Sequence, residues 1–167
     1  MKKTTEDSHQ LFDKKLLESI GKKFLRRKET VAVAESVTAG LLQYGFSNIP
    51  DAAHFFHGGI TAYNIGQKYK HLKVEPLHAQ SVNCVSQQVA EEMALHVCEQ
   101  FGSHWGLGIT GYASPVPESD DKVFAYYAVA ASNKIVASGK ITAQKMDPPL
   151  LQLQYARHVF TVLNKQL

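Results

Sequence analysis

Between Leu11 and Arg27 the apolar residues Leu11, Leu16, Leu17, Ile20, Phe24 and Leu25 recur every few positions among lysines. This spacing predicts a helix with one buried face. Residues 31–35, VAVAE, break that rhythm: a short apolar run suits a central parallel strand, and TAGLLQYGF after it restarts a helical pattern. HFFHGGITAY (54–63) is rich in aromatic and β-branched residues and predicts a strand interrupted at Gly58 and Gly59, with a short helix over 64–72. Val89, Met93, Val97 and Phe101 share one face of a helix over 85–101, with Ser86 as its N-cap and Val85 as the staple before it. HWGLGIT (104–110) reads as another buried strand, and the proline-rich GYASPVPESDD after it predicts a loop without regular structure. VFAYYAVAA and KIVASGKIT, joined by Ser132 and Asn133, predict a β-hairpin. The last helix runs over 148–167, with Pro148 and Pro149 tolerable only in its first turn.

Helices and strands alternate over the first two thirds, and an antiparallel hairpin follows. The expected fold class is α/β: a three-layer α/β/α sandwich around a mixed, mostly parallel sheet, built as one domain over 1–167 with residues 1–9 a flexible polar tail. Ligands of such sheets collect beyond the carboxyl ends of the strands. That rule selects three loops: ESVTAG, AYNIGQK and TGYASP.

Composition narrows the function classes. A chain of 167 residues, 44% of them hydrophobic, supports one closed core. The net charge of +3 is gathered mostly in the first thirty residues without interleaved aromatic platforms, so no nucleic-acid partner is expected. No apolar segment follows the N-terminal lysines and no run is long enough to span a bilayer, which points to a cytoplasmic protein with no membrane partner. Cys84 and Cys98 fall in or just before one amphipathic segment and are expected as inert packing residues, not as a disulfide.

Ser36 stands where a buried strand gives way to a helix. Backbone N–H groups and the helix dipole favour negative charge there, so its hydroxyl is a candidate nucleophile and the N–H groups from Thr38 to Gly40 candidate oxyanion donors. A plain helix cap at Ser36 or Thr38 is the alternative. A serine nucleophile needs a base. Eight histidines are present, but none forms a Ser/His/Asp order, and His54, His57 and Asp51 suit scattered surface positions better than a metal cluster. Lys68 is a candidate base if a dry cleft lowers its affinity for the proton, with the Tyr63 hydroxyl relaying or orienting it. It is one of three lysines in QKYKHLK, and spacing alone does not select it.

Three stretches, TVAVAESVTAGLL, HGGITAYNIGQKYKHLKV and LGITGYASP, in this order and at these separations, resemble the CinA C-terminal domain family over roughly residues 10–165. The resemblance implies a nicotinamide-nucleotide amidohydrolase, which converts nicotinamide mononucleotide to nicotinate mononucleotide and ammonia. It implies catalysis by Ser36, Lys68 and Tyr63, without a metal or cofactor. Ser36 matches a pattern like A-E-S-C-T-G-G, and Gly58, Gly59, Tyr63 and Lys68 match G-G-x-x-x-Y-x-x-x-x-K. Substrate-binding positions expected on these motifs are Glu35, Thr38, Ala39, Gly40, Gly58, Gly59, Thr110 and Gly111.

The chain departs from the family pattern in small ways at Val37, in place of a cysteine, and at Ala39 and Phe124, in place of glycines, and more heavily at two further places. TGYASPVPE stands where the third loop resembles T-G-x-A-G-P-G-G-G, and Pro148 and Gln152 occupy the arginine places of D-R-x-x-V-R. The expected partner is a small-molecule nucleotide amide, and the expected assembly a homo-oligomer, taken as a dimer. Many members carry a preceding molybdopterin-binding-like domain; about ten polar residues and one helix open this chain, so a stand-alone domain is expected. Two other functions are carried forward: a homologue that binds a nucleotide or protein partner without turnover, and a hydrolase of a non-phosphorylated amide.

Overall fold

The protein is described by a computed structural model over residues 11–167, so the expected polar tail at 1–9 lies outside the described residues. Helix α1 spans Lys14–Arg27. It starts later than Leu11 because the Asp13 carboxylate accepts from the N–H groups of Lys15 and Leu16, a cap that sets the first turn. Strand β1, Val31–Glu35, is buried along its whole length. Helix α2 (Leu41–Ser47) follows, then β2 (Phe56–Thr61), α3 (Ile65–Leu72), α4 (Pro76–Ser81) and α5 (Gln87–Phe101). Strand β3 (Trp105–Tyr112), the hairpin β4 (Phe124–Ala131) and β5 (Lys134–Thr142), and α6 (Pro148–Gln166) complete the chain.

The five strands lie in the order β2-β1-β3-β4-β5. β1 runs parallel to both neighbours, and β4 and β5 are antiparallel. Ser132 and Asn133 both adopt positive φ, 49° and 61°, as a two-residue hairpin turn requires. β3 continues two residues past Thr110, because Gly111 and Tyr112 stay in register with Ala125 and Phe124 of β4. The following loop, expected to be irregular, holds one 3₁₀ turn at Pro117–Ser119.

Alternation along the central strands decides what each face accepts. Val31 and Val33 of β1, with Trp105, Leu107 and Ile109 of β3, face α1, α2 and α6 and join a core containing Phe24, Phe46 and Phe160. Ala32 and Ala34 face the opposite layer of α3, α4 and α5. On that side a methyl group at Gly106 or Gly108 would overlap the carbonyl oxygens of Ala94 or Ala90, so glycine lets α5 lie directly against β3. The close-packed centre leaves the carboxyl ends of β1, β2 and β3 together at one edge of the sheet.

α4 was not expected from the sequence. Six residues show no helical period, and its start rests on the Glu75 carboxylate, which accepts from Leu77 and His78 N–H ahead of Pro76 in the first turn.

Candidate active site

Ser36 is the first residue after β1, and only 7% of it is exposed. Its N–H donates to the Ile109 carbonyl (3.0 Å), which extends the β1–β3 ladder by one step and fixes where the side chain starts. The turn behind it is built by Glu35, whose fully buried carboxylate folds back over the start of α2. Oε2 accepts from Thr38 Oγ1 (2.6 Å), Gly40 N (3.1 Å) and Leu42 N (3.0 Å). Oε1 accepts from Gln43 N (2.9 Å) and Gln43 Nε2 (3.3 Å).

This arrangement corrects the expected role of the segment. Glu35, Thr38, Ala39 and Gly40 do not line the cleft beside Ser36; they form its scaffold, and of the N–H groups from Thr38 to Gly40 expected to meet an oxyanion, that of Ala39 donates to the Ser36 carbonyl (3.2 Å) and that of Gly40 to Glu35. Among the described residues, the N–H groups of Val37 and Thr38 are the ones in this turn without a protein acceptor. Ala39 (φ 49°) and Gly40 (φ 103°) make the reversal.

Lys68 approaches from α3, which Asn64 starts by accepting from Gln67 N–H (3.0 Å). The residue is 1% exposed. Its Nζ lies 2.9 Å from Ser36 Oγ, 2.8 Å from the Ala62 carbonyl and 3.2 Å from the Tyr63 carbonyl. Burial pushes the Lys68 ammonium down to about 8, against a small opposing pull from Cys84 nearby. The two carbonyls take two N–H bonds. The third direction of the nitrogen faces Ser36, and in the neutral amine that direction is a lone pair.

Tyr63 is placed differently from its expected role. It meets Lys68 through its backbone carbonyl, while its side chain is 70% exposed and its hydroxyl makes no hydrogen bond to Ser36 or Lys68. Gly58 and Gly59 also lie off the cleft. A methyl group on Gly59 would collide with Val33 and, at 2.8 Å, with Gln43 Cγ, and Gly58 takes a φ of 123° beside the β1–β2 bulge, so both serve strand packing.

The cleft has a volume of about 680 Å³, within the range of about 300–1,000 Å³ common for small-molecule sites. Ser36, Lys68, Thr110 and Gly111 border it, as do Asn64 and the start of the loop after β3. A fourth wall, Gln80 to Val85, went unforeseen. Its signal was present: Asn83 and Cys84 form a tight turn with φ of 49° and 60°, and asparagine favours that conformation. Cys84 is thus a half-buried cleft residue that accepts from Thr110 Oγ1 through its carbonyl (2.8 Å), whereas Cys98 is buried and its thiol is raised to about 11 by burial. α6 closes the remaining side, with Pro148 and Gln152 on the cleft and Gln152 Nε2 donating to the Val37 carbonyl (2.8 Å). Among the described residues no three His, Cys, Asp or Glu side chains converge as metal ligands, and no helix is long and apolar enough to cross a membrane.

The family model described as the CinA C-terminal domain matches residues 13–167. A CinA-like protein of Trichodesmium erythraeum is 36% identical over 134 residues, covering 79% of this chain and 32% of the relative. The chain therefore spans about a third of the length of that curated relative. The fold matches a CinA superfamily protein of Escherichia coli with a TM-score of 0.87 at 20% identity, over 98% of this chain and 94% of that one. It also matches a competence/damage-inducible protein of Agrobacterium tumefaciens with a TM-score of 0.86 at 23% identity, over 92% of this chain and 96% of the other.

Proposed function

The chain belongs to the CinA C-terminal domain family, and from that premise and the buried contact between Ser36 and Lys68 we propose that it hydrolyses a carboxamide through an acyl-enzyme. The nicotinamide group is the substrate head that the motif resemblance implies. The observation that carries the proposal is the 2.9 Å approach of Lys68 Nζ to Ser36 Oγ, both residues buried, by an amine whose other contacts are two carbonyls.

Neutral Lys68 takes the proton from Ser36 Oγ as the oxygen attacks the carboxamide carbon. The tetrahedral oxyanion is met by backbone donors, for which the Val37 N–H, on the cleft and without a protein acceptor, is the candidate. The C–N bond breaks as the Lys68 ammonium returns its proton to the leaving nitrogen, and ammonia departs. Water then attacks the ester carbon, giving one proton to Lys68. The C–Oγ bond breaks, Ser36 recovers that proton, and the acid product leaves. Tyr63 acts here through its carbonyl, which helps to aim the amine.

Ammonia release from nicotinamide mononucleotide and from its nucleoside, wild type beside Ser36→Ala, tests the proposal. Release by the wild type that vanishes in Ser36→Ala is expected. No release from either, nor from a panel of other carboxamides, overturns it.

A further inference from the structure

We propose that this cleft selects carboxamides that carry no phosphate, because the described residues that line it include no arginine and their one cation, Lys68, is held by Ser36 and two carbonyls. The inference rests on the hydrolase reading and narrows its substrate from a nucleotide to a nucleoside-type or free amide. Lys68 is the one basic side chain among the described residues that line the cleft. Its three contacts are already taken by Ser36 and two carbonyls. A phosphate monoester brings a charge of about −1.5 to −2 near pH 7 and is ordinarily held by arginine forks or clustered backbone N–H groups.

The helix starts give the second part of the case. α6 brings its first turn to the cleft, since Pro148 and Gln152 both line it, but Pro148 and Pro149 have no N–H and Asp147 stands at the cap. The Leu151 N–H makes the first helical bond, to the Asp147 carbonyl, so among the first three positions of α6 only Leu150 offers an N–H. At α2, the Glu35 carboxylate holds the N–H groups of Gly40, Leu42 and Gln43. The starts of α3 and α5 keep a partial positive charge, yet Asn64 and Ser86 cap each of them, and the one cleft cation near them, Lys68 of α3, is held by Ser36 and two carbonyls.

The loop after β3 brings no cation to the cleft. Ala113, Ser114 and Val116 border the cleft, Pro115 and Pro117 offer no N–H, and residues 118–122 carry Glu118, Asp120 and Asp121 against Lys122 alone. Uncharged polar groups on the walls, among them those of Tyr63, Asn64, Gln80, Asn83, Ser114 and Gln152, suit the hydroxyls and amides of an uncharged ligand.

Two probes that differ only in the phosphate, nicotinamide riboside and nicotinamide mononucleotide, test this. Calorimetry on the Ser36→Ala variant reads binding without turnover, and kcat/KM on the wild type reads selection during reaction. The riboside is expected to bind at least about tenfold more tightly and to react with at least about tenfold higher kcat/KM. Pro148→Arg, and separately Gln152→Arg in case one of them fails to fold, should shift the preference back toward the mononucleotide. Equal or tighter binding of the mononucleotide overturns the inference, as does binding of neither probe. Turnover of the mononucleotide in preference to the riboside sinks the inference and leaves the hydrolase intact. Selective binding of the riboside with no turnover of any amide does the reverse.

Discussion

The turn after β1 and the loop after β3 leave the sheet side by side, and they are built on opposite plans. In the first, one buried carboxylate gathers five donors within nine residues and leaves Ser36 a single place to stand. In the second, residues 113–122 are largely exposed and hang on Ser119, whose hydroxyl lies 3.0 Å from the Val116 carbonyl and 2.7 Å from that of Lys122. Reactive geometry needs placement to a fraction of an ångström and is held by buried, charge-assisted bonds. Ligand choice is left to a rim where substitutions cost little. On the proposed reading, a rim of this kind accommodates TGYASPVPE, where the resemblance implies a glycine run, without disturbing the buried contact between Ser36 and Lys68.

Breaking the first plan should have the largest effect. Lys68→Met removes the proposed base, and kcat/KM for the proposed carboxamide hydrolysis is expected to fall by roughly a thousandfold or more, with circular dichroism unchanged. Glu35→Ala leaves Thr38, Gly40, Leu42 and Gln43 without their acceptor, and chemical denaturation should show a loss of about 3 kcal/mol or more, with activity falling beside it. A smaller loss than about 1 kcal/mol would mean that the turn holds itself.

The depressed Lys68 supplies a pH test. Its folded value of about 8 lies below the ordinary 10.5, so between these values the unfolded chain binds more protons than the folded one. Stability from this group therefore rises with pH through that window, is complete above about 10.5, and is lost as pH falls through 8. The stability difference between wild type and Lys68→Met should move in favour of wild type by up to about 3 kcal/mol across the window. In parallel, kcat/KM of the wild type should climb with an apparent pKa near 8 as the amine becomes neutral. A profile flat from pH 6 to 10 removes Lys68 as the base.

The smallest effect is expected at Tyr63. Because the residue meets Lys68 through its carbonyl, Tyr63→Phe should keep kcat within about threefold. A loss of a hundredfold would instead restore the phenol to the proton path. On the rim, Ser114→Gly should change stability by less than about 0.5 kcal/mol, which thermal melting checks.

Much of the frame was legible in the chain. β1, α5 and the β4–β5 hairpin fall where periodicity, the Ser86 cap and the Ser132–Asn133 turn put them, since each of these signals is local. α4 escaped because six residues carry no period, and with it went the wall at Gln80 to Val85. Lys68 had a signal that spacing to Ser36 lacks: Ile65, Lys68 and Leu72 share one face of α3, which turns Lys70 and Lys73 outward. Glu35 had none, because an acidic residue closing an apolar strand reads as its polar end.

By itself, then, the order of residues determined the elements, their sequence of layers and the edge of the sheet where a ligand would meet them, because these follow from patterns within a few turns of chain. Only the folded structure decided that one lysine of three loses its water, that Glu35 points inward to own a helix start, and that Tyr63 offers a carbonyl in place of its hydroxyl. Desolvation and hydrogen-bond partnership are properties of what surrounds a side chain, and the surroundings of Lys68 include Ser36, thirty-two residues away, which no local pattern brings near it.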